Sequence, residues 1–72
     1  MTLFPLTADE YVAEQVRRAD VAMLYRRIAR TFHDEAALAF EAGWEAVGTV
    51  AGLTARRLER AANAELRPAG LP

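Results

Sequence analysis

The feature that most constrains this chain is a spacing. Ala37, Phe40, Trp44, Val47, Ala51, Thr54, Leu58 and Ala61 follow one another at intervals of 3, 4, 3, 4, 3, 4 and 3 residues. That is a sustained heptad pattern, in which apolar side chains return to one side of a helix. It demands a helix long enough to carry it and a surface to lie against. No alternating pattern of strand type is present, so the expected fold class is all-α.

The chain has 72 residues, which allows one domain. A domain this short buries a modest share of its unfolded surface and usually needs disulfides, a metal or self-association to hold together. It has no cysteine and a single histidine, which leaves neither a disulfide nor a ready zinc site. Partners are the remaining route. The expected fold is therefore a two-helix antiparallel hairpin, completed by oligomerisation into a helical bundle such as a four-helix bundle.

The first helix has a clear start. Thr7 is an N-cap with Glu10 three residues on, the capping-box spacing, and Leu6 and Tyr11 take the hydrophobic-staple positions. This helix is expected over 8–31 after an N-terminal arm, 1–7. It has two apolar sets, Val12, Val16, Ala19 and Met23, then Val21, Tyr25, Ile28 and Phe32, each spaced 4, 3 and 4. At about 100° per residue the sets lie on opposite sides, which points to two neighbours. Thr31 or Asp34 is read as capping a second helix over 34–66, so the connection is placed near His33. Arg67 before Pro68 then disfavours helix, leaving 67–72 as a flexible tail.

Charge gives the orientation. Acidic starts (Asp9, Glu10 and Glu14; Asp34, Glu35, Glu41 and Glu45) and basic ends (Arg26, Arg27 and Arg30; Arg56, Arg57 and Arg60) of the two helices match only when they run antiparallel.

Three glycines interrupt the second helix, and each costs about 1 kcal/mol against alanine in a helix interior. Gly48 and Gly52 stand four apart and, with Ala51 and Ala55, make a smooth stretch that lets another backbone approach. Gly43 is read as leaving room for a neighbouring side chain. Trp44 is the main anchor, with about 5 kcal/mol available as an upper bound from burying its indole.

Chemistry is sparse. No serine or cysteine is present, and His33, adjacent to Asp34 and two residues from Thr31, faces neither of them on a helix. Glu41 and Glu45 lack the Glu-x-x-His partner of a di-iron site. Hence no catalytic residue, cofactor or metal is expected, and the chain is read as a non-enzyme. No segment is long and apolar enough to span a membrane. The apolar "MTLFPL" lacks a cationic face, and no signal sequence is apparent, so a cytoplasmic location is expected.

The function expected is protein–protein interaction, as an assembly component or accessory subunit. Its interface would use Phe40, Trp44, Val47, Gly48, Ala51, Gly52 and Leu58 of the second helix. From the first helix it would use Val12, Val16 and Met23, or the opposing Tyr25, Ile28 and Phe32. The partner is another copy of the chain or a different protein. The alternative is a small nucleic-acid-binding regulator. Net charge is −1 and all nine basic residues are arginine; Arg26, Arg27 and Arg30 would then contact phosphates.

Overall fold

The structure is a computed structural model that describes residues 7–67. The expected arm and tail lie outside these residues, apart from Thr7 and Arg67, and so does the Leu6 half of the staple. Two helices fill the described chain: α1, Ala8–Glu41, and α2, Glu45–Glu65. They pack along each other as an antiparallel helical hairpin, 57 Å in its long dimension and 19 by 16 Å across.

Helix α1 starts as its sequence dictates. The Glu10 backbone N–H donates to Thr7 Oγ1 at 3.1 Å, and the Thr7 N–H donates to Glu10 Oε1 at 2.9 Å. Both arms of the capping box are therefore made, satisfying two donors the helix cannot.

The connection is not where the sequence reading put it. Helix α1 runs through Thr31, His33 and Asp34 without a break, and the turn falls ten residues later. None of those residues is Gly or Pro, and each costs only a few tenths of a kcal/mol in a helix. The Thr31 hydroxyl donates to the Arg27 carbonyl within α1 instead of capping a new helix. What ends α1 is Gly43, at φ +83°, where a side chain is strained. The Gly43 N–H donates to the Phe40 carbonyl at 3.1 Å, and the Trp44 N–H donates to the Ala39 carbonyl at 2.8 Å. This pair of bonds is a Schellman motif, which satisfies two orphan carbonyls and turns the chain back. Gly43 is thus the turn itself, not a space for a neighbour.

The helices meet along a seam of small residues. On α1 it follows Gln15, Arg18, Ala22, Tyr25, Ala29, Phe32, Ala36 and Ala39, all buried or half-buried, at intervals of 3 and 4. On α2 it follows Gly48, Ala51, Ala55, Leu58, Ala62 and Glu65. The fully buried members among the described residues are alanines, plus Gly48. Small side chains on both helices let the backbones come close.

The seam turns polar away from the turn, at Gln15, Arg18 and Glu65. There an Arg18 guanidinium N–H donates to the Arg67 carbonyl at 3.5 Å, tying down the end of α2. Residues 8–17 of α1 continue past it for about 15 Å.

Antiparallel packing is present, but the expected acid–base matching does not produce it. With α1 unbroken to Glu41, Asp34, Glu35 and Glu41 lie on the same helix as Arg26, Arg27 and Arg30. Among the described residues, ion pairs join Glu14 to Arg17 and Arg18 within α1, and only His33 to Glu59 across the hairpin. The three-residue turn sets the orientation.

Candidate interaction surface

The side chains that were expected to form the buried seam are mostly on the outside of the hairpin. Trp44 is 63% exposed, and Phe40 and Val47 are each about half exposed. Val12, Val16, Met23 and, to a lesser extent, Ile28 are exposed as well. Gly48 and Ala51 are buried in the seam; Gly52, Leu58, Tyr25 and Phe32 are half-buried. The heptad frame through Trp44 and Val47 is therefore rotated off the hairpin's own contact by about one position.

Several of the exposed apolar residues, Leu24, Ile28, Leu38, Val47 and Val50, fall into line. On α1, Val21, Leu24, Ile28, Thr31, Glu35 and Leu38 form a second strip, again spaced 3, 4, 3, 4 and 3, beside the alanine seam. On α2 the matching strip is Val47, Val50, Thr54, Arg57, Ala61 and Ala64. Where the strips meet, a groove of about 470 Å³ is lined by Phe32, Glu35, Val47, Val50 and Thr54, with Ala46 and Ala51. A second depression of about 290 Å³ shares Glu35 and Val47, and reaches the turn through Leu38, Ala42 and Trp44. Together they make one apolar flank, running outward from the turn.

The opposite flank is mixed. Phe40 lies over Gly48: a Cβ there would stand 2.8 Å from the Phe40 Cζ, which explains why glycine serves at that position. Phe40, Gly52, Leu53 and Arg56 line a shallow depression. Gly52 has nothing within 4 Å of where its Cβ would lie, so no contact in the hairpin requires it.

Farther from the turn this flank is polar. His33 Nε2 lies 3.1 Å from Glu59 Oε2, and an Arg26 N–H donates to Asn63 Oδ1 at 3.2 Å. His33 is thus a helix-to-helix bridge and not a turn residue. Arg26, Arg27 and Arg30 come together with Met23 around a depression of about 210 Å³, and none of the three has a carboxylate partner among the described residues.

At the start of α1, Glu14 accepts from Arg17 at 2.7 Å and Arg18 at 2.9 Å. These hydrogen bonds hold its carboxyl down at about 2. The Thr7 backbone N–H, and then its side chain, lower the Glu10 carboxyl below its usual range. Both groups are on the surface and bear on α1 alone.

Sequence reasoning missed Leu24, Leu38, Val50 and Leu53, all about half exposed or more. The signal was available: Val21, Leu24 and Ile28 repeat the spacing of Val47, Val50 and Thr54. Among the described residues, no helix is long and apolar enough to cross a membrane, and no three His, Cys, Asp or Glu side chains gather as metal ligands. Comparison with protein-family models, with curated proteins and with solved structures gives no match.

Proposed function

We propose that this chain is a non-catalytic protein–protein interaction module, an assembly component or accessory subunit that works in the cytoplasm. One observation carries the reading. No large side chain among the described residues is fully buried, whereas Trp44, Val50, Leu38, Met23 and Leu24 are all more than half exposed. A hairpin that keeps only alanine and glycine inside has placed its hydrophobic side chains where another molecule can cover them. The two strips supply the geometry: a helix within a bundle has two neighbours, and each helix here carries two adjacent seams.

Trp44→Ala tests this, with native mass by light scattering and helicity by circular dichroism on the same sample. Loss of assembled mass, or loss of helicity, is the expected result. Unchanged mass together with unchanged stability rejects the reading.

A second reading has its own observation in the Arg26, Arg27 and Arg30 cluster, whose positive charge is not neutralised locally. It would suit a nucleic-acid backbone. Salt-sensitive retention on a nucleic-acid column, lost when all three become Gln, would support it; no retention at low salt would reject it.

A further inference from the structure

The α2 half of the apolar flank has a gradient of side-chain size. Its turn end is bulky, with Trp44, Val47 and Val50, while farther out it is small, with Ala61 and Ala64; the α1 half carries large side chains, Leu24, Ile28 and Leu38, along its length.

Heights along the hairpin follow from the helical rise. Counting from the turn, Trp44 lies at the turn and Ala64 at about 30 Å, with Val47 at about 5 Å and Ala61 at about 26 Å along α2. Along α1, Leu38 is at about 8 Å and Ile28 at about 22 Å, Glu35 at about 12 Å and Thr31 at about 18 Å. Every one of these pairs is centred close to the same level, about 15 Å from the turn and near Phe32 and Thr54.

A single two-fold axis at that level, perpendicular to the helices and lying in the plane of the flank, sets α2 of one copy against α2 of the other and α1 against α1. It puts Trp44 level with Ala64 and Val47 level with Ala61 along the α2 pair, and Leu38 level with Ile28 and Glu35 level with Thr31 along the α1 pair. Bulk meets small residues along α2, and the Leu38 and Ile28 side chains cover each other along α1. Two copies with their turns at the same end would instead set α1 against α2 and stack their bulky turn ends, Leu38 over Val47 and Val50, on each other.

We propose that the occupant of the apolar flank is a second copy of this chain, packed face to face with its turn at the opposite end, forming an antiparallel four-helix bundle. This rests on the interaction reading above. Area is consistent with it. Helix α2 is 21 residues long, about 30 Å, and the hairpin is 19 Å wide. That gives about 600 Å² of projected face on each copy, hence about 1,200 Å² in all before counting surface corrugation, the lower edge of a specific stable interface.

The absence of native cysteine makes the arrangement directly testable. Val47→Cys and Ala61→Cys are prepared as separate variants, mixed, equilibrated and oxidised, with circular dichroism to verify helicity. Unmodified protein is weighed by sedimentation equilibrium. The expected results are a mass of twice 7.9 kDa and a disulfide joining residue 47 of one copy to residue 61 of the other.

A helical monomer across the concentration range would overturn self-pairing, while leaving the interaction reading to be met by a different protein. A dimer that cross-links 47 to 47 and not 47 to 61 would overturn the antiparallel register. The mass is measured on the unmodified chain, so it decides for or against self-pairing even where a cysteine variant fails to fold.

Discussion

The alanine seam and the apolar strip beside it are built on the same two helices with the same 3-and-4 spacing, and differ in side-chain size. The seam holds Ala22, Ala29, Ala36 and Ala39 against Gly48, Ala51, Ala55 and Ala62. The strip holds Leu24, Ile28 and Leu38 beside Val47 and Val50. Spacing alone says that a surface is to be covered. Size says by what: small residues suit a helix already tethered three residues away, which can approach closely, and large ones suit a partner that must contribute hydrophobic area to be held at all.

The sharpest way to break this contrast is to make the seam bulky. Ala55 is 0% exposed, so Ala55→Leu forces the helices apart and should destabilise the hairpin by about 1–3 kcal/mol, or more if it cannot relax. The same increase in size on the strip, Val50→Leu, should be tolerated. Thermal unfolding of the two variants decides, and equal losses would mean that the two surfaces are not distinct in kind.

Replacing Gly43 with alanine probes the tether between the helices. Its φ of +83° is strained for an L-residue, and Gly43→Ala should cost about 1–2 kcal/mol. Denaturant unfolding reads it; no loss would mean that the turn can be rebuilt in another conformation.

The next pair of substitutions has a smaller effect, with different consequences at two positions one turn apart on the same side of α2. Gly52→Ala meets empty space and should stabilise α2 by about 0.5–1 kcal/mol. Gly48→Ala gains the same propensity but collides with the Phe40 ring, so its gain should be absent until Phe40 is also cut to alanine. A double-mutant cycle in unfolding free energy measures that coupling. A Gly52→Ala that weakens association without weakening the hairpin would show the position in contact with a partner.

The mildest effect is at the far end, away from both surfaces. Glu14 titrates at about 2 instead of 4.5. A carboxylate whose pKa is depressed on folding adds stability above its unfolded value, and loses it as pH falls through the folded one. Helicity of the first turns of α1 should therefore decline between pH 4.5 and about 2, and Glu14→Gln should remove that part of the decline in a circular dichroism titration.

The fold was legible in the sequence where local chemistry decides. Thr7 and Glu10 announce a helix start by themselves, and Arg67-Pro68 announces an end. The connection was misplaced because polar residues with capping ability, Thr31 and Asp34, outweighed a plainer signal, a glycine directly after helical residues and followed by an apolar Trp44. The candidate surface was legible as residues but not as partners. Trp44, Val47 and Phe40 were recognised as wanting cover, and only the three-dimensional register shows that the hairpin itself leaves them about half exposed or more. The alanines at seven-residue intervals, 22, 29 and 36, pointed to the inner seam. They were hard to see in a chain so rich in alanine.

The Schellman turn has a consequence for time. Its two bonds close within six residues, and each pair of seam residues beyond it is brought together by the pair before. Assembly of the hairpin can run outward from Gly43 like a zip, with no long loop to be closed first. Relaxation of this chain should therefore fall on the microsecond to millisecond scale of helical bundles. A second copy would then meet a hairpin already made.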